Sequence, residues 1–179
     1  MKLSEIMLNN FKGIKFINFE FDGNDASIYG DNATGKTTIF DSLCWLLFGK
    51  DSLDRADFEI KTLVNGEPLH NVNHEVEATF SNDDGTSFVL KRVYREKYSN
   101  PRGGETKLTG HTTDYFINEV PVKEKEYKAF INNMINEDVF KLITNPLYFN
   151  EQYSWQNRRK LLLEMCGDID DESVINSRD

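Results

Sequence analysis

The sequence contains few of the residues that build cross-linked or membrane-embedded proteins. It has two cysteines and four prolines in 179 residues. Cys44 and Cys166 each lie in an apolar, helix-like pattern, which predicts buried free thiols rather than a disulfide or a metal pair. No run of 18 apolar residues occurs, so we expect no membrane span, and the first residues lack the apolar segment of a signal peptide. These absences predict a cytoplasmic protein.

The remaining composition is that of a globular chain. Hydrophobic residues make up 39% of it, with 13 phenylalanines and 7 tyrosines, and its length fits one domain with its own core. The net charge of −9 argues against a protein whose whole surface binds nucleic acid. Residues 91–98 form one basic and aromatic cluster. We expect it to be a solvated strand face, with local DNA contact as the less favoured alternative.

A complete phosphate-binding loop pattern, G-x-x-x-x-G-K-T, runs from Gly30 to Thr37. The short apolar segment 26–29 precedes it and is predicted to be a buried strand. Apolar residues at helical spacing over 38–48, ending at Gly49, predict a helix after it. Strand, glycine loop and helix are the context in which this pattern binds phosphate. The residues predicted to contact a nucleotide in this segment are Gly30, Asn32, Ala33, Thr34, Gly35, Lys36, Thr37 and Thr38.

The residue types in this loop match the chemistry of a nucleoside triphosphate with Mg²⁺. Backbone N–H groups at the start of the helix, together with the positive end of its dipole, attract phosphate. Lys36 is predicted to reach the β- and γ-phosphates, and the Thr37 hydroxyl to supply an oxygen ligand to Mg²⁺. Gly30 and Gly35 allow a close backbone approach that side chains would block. A glycine turn that merely caps an ordinary helix is the weaker interpretation, because every fixed position and both flanks match.

The rest of the chain predicts antiparallel strands followed by helices. Asn65-Gly66 and the run 82–85 are turn signals, and 99–104 is predicted to be a loop. The predicted strands are 2–9, 14–21, 72–80, 87–95 and a small hairpin over 115–122, and the predicted helices are 123–135, 137–143 and 155–166, with the first turns of another at 170–177. This order predicts an α/β fold with an antiparallel sheet and a helical last third, in a single P-loop NTPase lobe over 1–179.

One part of a P-loop enzyme is missing from the sequence after the loop. Such an enzyme needs a carboxylate at the end of an apolar strand, which holds Mg²⁺ through water and polarises the attacking water. No run of four apolar residues followed by Asp or Glu occurs after Thr38, and no Leu-Ser-Gly-Gly-like element is present. The sequence therefore predicts that the rest of the site lies on another polypeptide, or that the chain is a fragment of a longer protein.

Four stretches resemble the N-terminal ATPase lobe of the SbcC/SMC-type ABC ATPases, which act in DNA repair and recombination. Residues 8–13 resemble the family's first turn near the base and ribose, and 29–38 are similar to its G-x-N-x-x-G-K-S/T loop. Residues 39–52 resemble the helix that follows, especially in phage-type and bacterial SbcC-like members. Residues 140–167 resemble the segment that leads into a coiled coil. The resemblance covers nearly the whole chain, and its first three stretches are specific.

The resemblance implies an assembly larger than this chain. In the family, a long coiled coil and a C-terminal lobe follow, and that lobe holds the Walker B carboxylates and the signature motif. Two heads enclose two ATP molecules, and hydrolysis needs that assembly. The resemblance therefore implies ATP and Mg²⁺ as cofactors. It implies a second ATPase head, the C-terminal lobe, DNA and a nuclease subunit as partners, and no membrane.

The family also has a Q-loop glutamine that contacts Mg²⁺, and its place in this chain falls at Asn145. Asparagine carries the same amide on a shorter arm, so the resemblance implies Asn145 as a second residue near the metal. Gln152 and Gln156 are nearby alternatives. An Asn145 that only turns the chain before Pro146 is an equally supported interpretation.

Several other residues have both a functional and an ordinary interpretation. The resemblance implies that Lys12 contacts the nucleotide from the first turn, although an exposed turn lysine fits the sequence nearly as well. Lys61 is expected to be a solvated lysine rather than a basic residue near the phosphates. We expect three histidines at the surface or in hairpins, and two tryptophans in the core: His70, His74, His111, Trp45 and Trp155.

Two further functions compete with the ATPase lobe of a repair machine. A small-molecule kinase also uses a P-loop, but it needs a lid and an acceptor site, and the hairpin before the loop argues against it. An ATP-gated module of the RecF and OLD groups, active in anti-phage defence, fits the same residues. The sequence downstream of this chain separates the candidates, because heptads and a late Walker B motif favour the SbcC/SMC type.

Overall fold

The computed structural model describes residues 1–99, 107–145 and 147–167. The elements are β1 (Lys2–Phe11), β2 (Ile14–Glu20), α1 (Lys36–Phe48), β3 (Leu63–Val64), β4 (Glu67–Pro68), β5 (His74–Ser81), β6 (Ser87–Ser99), β7 (Lys107–Ile117), β8 (Val120–Val122), α2 (Glu124–Met134), α3 (Glu137–Thr144), a π-helical turn (Tyr148–Gln152) and α4 (Trp155–Cys166). The predicted loop 99–104, except Ser99, and the predicted helical turns 170–177 lie outside the described residues.

One six-stranded antiparallel sheet, in the order β2-β1-β5-β6-β7-β8, forms the body of the chain. The predicted hairpins are confirmed, and their turns use residues that tolerate positive φ: Asn65 and Gly66 have φ of 53° and 87° between β3 and β4. The last hairpin pairs Tyr115–Ile117 with Val120–Val122, within the predicted range 115–122. Its first strand, β7, is longer than predicted, because it begins at Lys107 and pairs with β6 over its whole length.

Helices α1 and α2 cover one face of the sheet and complete its core. Alternate strand residues turn toward them, because side chains alternate across a strand. The burial pattern of β5 shows this alternation directly, from His74 to Phe80. The core side chains include Ile6, Leu8, Phe11, Trp45, Leu46, Val76, Ala78, Phe80, Leu90, Tyr127 and Ile131. Cys44 and Trp45 are buried as predicted.

The prediction of a buried strand over 26–29 is wrong. The segment forms no strand, and its residues are exposed, with Tyr29 at 89% and Ile28 at 37%. An extended segment becomes a strand only when a neighbour accepts and donates its backbone hydrogen bonds. Among the described residues, no strand pairs with this segment. The segment is mostly apolar, as the prediction assumed, but the part of the chain that the structure describes leaves it exposed.

The chain divides into two compact units, Met1–Met134 and a second unit from Ile135 onward. The second unit contains α3, whose first turn is capped by the Asn136 side chain, and α4, which is capped by Ser154 as predicted. Trp155 and Cys166 of α4 are exposed, so their predicted burial is wrong. Helical spacing specifies which side of a helix is apolar and not what covers it. The assignment of 1–179 to a single lobe remains a prediction.

Candidate functional site

The segment between β2 and α1 folds into the loop that the glycine pattern predicts. Ala33 and Gly35 have φ of 64° and 92°, in the left-handed region. The Thr34 hydroxyl donates a hydrogen bond to the carbonyl oxygen of Asp31 at 2.8 Å. A Cβ on Gly30 would lie 2.7 Å from that hydroxyl oxygen, so only glycine fits there without rearrangement. The loop therefore curls back on itself immediately before the helix.

The amino end of α1 is open to an anion. Gly35 occupies the N-cap position and has no side chain to accept from the first N–H groups. No acidic residue lies in the first turn of α1. A helix leaves its first four N–H groups without intrahelical partners, and they carry a partial positive charge. Because no side chain caps them, these donors are available to phosphate oxygens.

The Lys36 side chain folds over this loop. Its Nζ donates to the carbonyl oxygens of Gly30 and Asp31, at 2.6 Å and 2.5 Å. The ammonium group therefore lies on the concave side of the loop, where a phosphate chain would lie. Thr37 and Asn32 are exposed, and Thr38 is half-buried. Of the predicted loop residues, Lys36 is the one that lines the cavity beside the loop.

Lys12 lies beside this loop, in the turn between β1 and β2. Its Nζ lies 2.5 Å from Oδ2 of Asp41 in α1, and the Asp41 side chain is buried. Asp41 was not among the predicted site residues, although a carboxylate that interrupts the apolar pattern of α1 is a signal for a functional position. Contact between Lys12 and a nucleotide remains a prediction.

A second buried ion pair joins Lys61 to Glu96. The carboxylate of Glu96 accepts from Lys61 Nζ at 2.5 Å, from His70 Nδ1 at 2.7 Å and from the Asn71 N–H at 3.0 Å, and also from the Tyr98 hydroxyl. Burial by itself would raise the pKa of Glu96, but these donors outweigh it and hold that pKa far below its ordinary value of 4.5. The expectation of a solvated Lys61 is therefore wrong.

His74 was expected at the surface or in a hairpin; it lies in the β5–β6 hairpin, but it is not at the surface. It is fully buried, and its Nδ1 lies 2.5 Å from the carbonyl oxygen of Asn10. Its Nε2 is buried without a hydrogen-bond partner. Burial, offset in part by the Asn10 carbonyl, lowers the pKa of His74 below its ordinary value of 6.5. The imidazole is therefore kept neutral inside the sheet.

The basic and aromatic cluster 91–98 is a solvated strand face, as the favoured interpretation predicts, only in part: Arg95, Lys97 and Tyr98 are exposed, whereas Arg92 and Val93 are buried. Lys91 Nζ lies 3.3 Å and 3.2 Å from carboxylate oxygens of Glu75 and Glu77. Arg95 pairs with Asp114 at 2.7 Å. These carboxylates neutralise the positive charge that a DNA contact at this face would need.

Asn145 lies in the second unit, where its side chain shapes the backbone. Its Oδ1 accepts a hydrogen bond from the N–H of Leu147 at 3.0 Å, across Pro146. This is the geometry of an Asx turn, which the ordinary interpretation describes. Gln152 ends the π-helical turn, and Gln156 lies in the first turn of α4. A role for Asn145 near Mg²⁺ remains a prediction.

A groove with a cavity volume of 610 Å³ opens between the start of the sheet and α1. Lys36 lies at its edge, next to the exposed segment 26–29. Its apolar lining comes from Leu3, Ile6, Phe21, Ile28, Ile39, Phe40 and Leu43. Among the described residues, no group of three or more His, Cys, Asp or Glu side chains is placed to hold a metal. None of the described helices is long and apolar enough to span a membrane.

The sequence matches a protein family described as AAA domain, over residues 5–174. It is 27% identical over 168 residues to the DNA replication and repair protein RecF of Clostridioides difficile (strain 630), covering 88% of this chain and 44% of RecF. It is 25% identical over 145 residues to the DNA double-strand break repair Rad50 ATPase of Methanocaldococcus jannaschii, covering 74% and 14%. It is 30% identical over 178 residues to the chromosome partition protein Smc of Halobacteriovorax marinus, covering 93% and 14%.

The fold is similar to that of a solved Smc head. The crystal structure of the Smc head domain with a coiled coil and joint derived from Pyrococcus yayanosii aligns with a TM-score of 0.63 at 19% identity, covering 93% of this chain and 32% of that chain. This likeness confirms the predicted fold class. The chain spans between 14% and 44% of the length of these three curated relatives.

Proposed function

The chain belongs to the AAA domain family and is a head lobe of the SMC/SbcC-like ABC type. We propose that it binds Mg·ATP. The observation that carries the proposal is the uncapped amino end of α1 with Lys36 folded over the loop before it. Two kinds of positive group converge there: the N–H donors at the positive end of the helix dipole, and an ammonium. A triphosphate is a ligand class that uses both.

Within this proposal, Lys36 exchanges its two carbonyl partners for phosphate oxygens. The carbonyl oxygens of Gly30 and Asp31 hold the ammonium in the concave side of the loop before the ligand arrives. A charged acceptor makes a stronger hydrogen bond with an ammonium than a neutral carbonyl does. The free-energy cost of rearranging the Lys36 side chain when phosphate binds is therefore small. Asn32, Ala33, Thr34 and Thr38 complete the wall of the loop.

Mg²⁺ is proposed to bind together with the nucleotide rather than before it. The exposed Thr37 hydroxyl, in the first turn of α1, is the protein ligand that the loop offers. When bound, Mg²⁺ would neutralise charge on the phosphate oxygens. Asn145 is proposed as a second residue near the metal.

We propose that the C-terminal lobe of the same protein completes this head. The exposed segment 26–29 and the apolar groove beside it are two surfaces that a folded domain normally covers. A strand laid along 26–29 would pair with its free backbone groups and cover Ile28. Both features adjoin Lys36, so the same lobe would be close enough to bring the missing carboxylate to the phosphates.

At the level of the whole protein, we propose an ATPase head that acts in DNA repair or recombination, in the cytoplasm. A second head would complete the ATP site, and DNA and a nuclease subunit would be its partners. The match to RecF keeps one alternative open, an ATP-gated module of the RecF and OLD type in anti-phage defence. The small-molecule kinase is not proposed further, because the SMC-type fold and the relatives favour the head lobe.

Calorimetric titration of the 179-residue chain with Mg·ATP tests ATP binding. Lys36→Ala is expected to lose about a hundredfold or more in affinity, because a charge-assisted contact is removed. Its thermal unfolding should match that of the wild type, since Lys36 contacts only loop carbonyls in the described hydrogen bonds. Lys91→Ala, which removes an ammonium from the outer face of the sheet, is the matched control. Equal ATP affinity in Lys36→Ala and the wild type would refute the proposal.

A further inference from the structure

A buried carboxylate in α1, that of Asp41, pairs with a lysine from outside the glycine loop. Oδ2 of Asp41 accepts from Nζ of Lys12 at 2.5 Å, and Oδ1 accepts from the backbone N–H of Ser52 at 2.9 Å. The side chains of Lys12 and Asp41 are 23% and 6% exposed. Removing one partner of a buried pair leaves an uncompensated charge. Each charge therefore holds the other in a defined place.

The backbone of the Lys12 turn is held independently of this pair. The Lys12 N–H donates to the carbonyl oxygen of Ile60 at 3.0 Å, and the Gly13 N–H donates to the Thr62 hydroxyl at 3.2 Å. Lys12 itself has a φ of 45°. The turn is thus anchored to the segment 60–62, while Asp41 sets the direction of the Lys12 side chain. Phe58 lies below the ammonium, 5.3 Å from it at the ring centroid.

The same turn lies against the phosphate-binding loop. A Cβ built on Gly35 would lie 3.3 Å from Cδ1 of Ile14, the residue that begins β2. Asp41 lies five positions after Lys36, which is about 7.5 Å along the axis of α1. The turn that carries Lys12 therefore lies against the loop at the amino end of α1, while the Lys12 ammonium is held by Asp41 about one and a half turns further along the helix.

We propose that Asp41 is a positioning residue for the nucleotide and that it acts through Lys12. An ammonium has three N–H donors, so Lys12 can donate to Asp41 and to an oxygen of the bound nucleotide at the same time. The carboxylate fixes the ammonium before the ligand arrives, which reduces the entropy lost on binding. The inference rests on the proposed ATP binding and adds a residue from outside the loop pattern.

A double-mutant cycle on the full 179-residue chain tests this inference. The dissociation constant of Mg·ATP and the unfolding temperature are measured for Lys12→Gln, Asp41→Asn and the variant that carries both. Each single variant is expected to lose about tenfold in ATP affinity, the size of one charged hydrogen bond. The double variant leaves neither charge unpaired, so its unfolding temperature should rise above those of the singles. Its affinity should stay as low as that of Lys12→Gln.

A pair that serves packing alone would give the opposite pattern. The inference would be overturned if both the ATP affinity and the unfolding temperature recover in the double variant. It would also be overturned if the affinity losses of the two single variants add in the double variant. Asp41→Glu keeps the charge and displaces the carboxylate, so it serves if Asp41→Asn does not fold. It should still weaken ATP binding by about threefold or more, and unchanged affinity would overturn the inference. Lys91→Gln, at an ion pair on the outer face, is the control and should stay within about twofold.

Failure of this inference is distinguishable from failure of the proposed function. If Lys36→Ala abolishes ATP binding while Asp41→Asn and Asp41→Glu leave it unchanged, ATP binding stands and the role of Asp41 is wrong. If the wild-type chain does not bind Mg·ATP, both the proposed function and the role of Asp41 are wrong.

Discussion

Arg92 of β6 donates a hydrogen bond to the carbonyl oxygen of Trp45, in the last turn of α1. The guanidinium is buried, and its centre lies 5.1 Å from the Trp45 ring, 4.8 Å from that of Tyr115 and 5.8 Å from that of Tyr127. A cation at the carboxyl end of a helix is stabilised by the helix dipole, and aromatic faces stabilise it further. The helix that presents the phosphate loop at one end is therefore fixed to the sheet at the other.

Replacing Arg92 should destabilise the fold more than replacing an exposed arginine of the same strand. Arg92→Met removes one of the two donors to the Trp45 carbonyl, which still accepts from the Gly49 N–H, and it removes the stacking of the guanidinium on three rings. The free energy of unfolding should fall by about 2–4 kcal/mol. Arg92→Lys keeps the charge but loses the planar stacking, so an intermediate loss is expected. Urea unfolding measures both. Arg95→Met is the control, because Arg95 is exposed, and equal losses at the two positions would contradict this role.

Stability should fall as the solution becomes mildly acidic, because His74 is buried in its neutral form. Its pKa is lower in the folded chain than the ordinary 6.5, so the unfolded chain binds more protons in the interval between the two values. The free energy of unfolding therefore decreases as the pH falls through about 6.5, by at most about 1.4 kcal/mol per pH unit. Above that interval both states are neutral and the effect is absent.

Urea unfolding of the wild type and His74→Gln, between pH 8 and pH 5.5, isolates this effect. The wild type should lose more stability than the variant over that range, because Gln does not titrate. His111→Gln controls for the loss of one imidazole elsewhere in the sheet. A parallel pH dependence of wild type and His74→Gln would contradict the prediction. Protonation of Glu96, whose pKa is held far below 4.5, belongs to a separate and more acidic range.

Thr37→Ala should weaken the dependence on Mg²⁺ more than nucleotide binding itself. The hydroxyl is proposed to bind the metal, whereas helix N–H groups and Lys36 bind phosphate. ATP affinity is measured with Mg²⁺ and with EDTA, and the ratio of the two should shrink toward one in the variant. Thr37→Ser keeps the oxygen and is the matched control. An unchanged ratio in Thr37→Ala would remove Thr37 from the metal site.

The 179-residue chain alone should bind ATP and hydrolyse it slowly or not at all. No run of four apolar residues followed by Asp or Glu, and no Leu-Ser-Gly-Gly-like element, occurs after Thr38, and phosphoryl transfer depends on the positioning and charge that such groups supply. A separately produced C-terminal lobe should restore turnover, and the rate should rise more than linearly with concentration if two heads must meet. Turnover of about one per second or faster by the chain alone, lost in Lys36→Ala, would reveal a catalytic carboxylate within it.

Much of the fold followed from local patterns in the sequence. The turn at Asn65-Gly66 needs residues that accept positive φ, and Ser154 at the start of α4 supplies an N-cap. The glycine loop at Gly35 similarly constrains its own backbone. Each of these features is decided by residues within a few positions of one another, so periodicity and turn chemistry were sufficient to predict them.

Burial of polar residues did not follow from local patterns. Lys61 meets Glu96 across 35 positions, and Lys12 meets Asp41 across 29. The local sequence around a lysine in a polar stretch does not indicate which distant carboxylate will lie next to it in the folded chain. His74 is similar, since its partner is a backbone carbonyl that any residue at position 10 would supply.

The sequence by itself determined the phosphate loop, the order of strands and helices, and the family resemblance, because each is encoded in contiguous residues. The tertiary structure alone decided which charges are paired inside the sheet and which apolar segments are covered. The segment 26–29 illustrates the difference. Its composition is that of a strand, but a strand also needs a neighbour to satisfy its backbone groups, and the described part of the chain places none beside it.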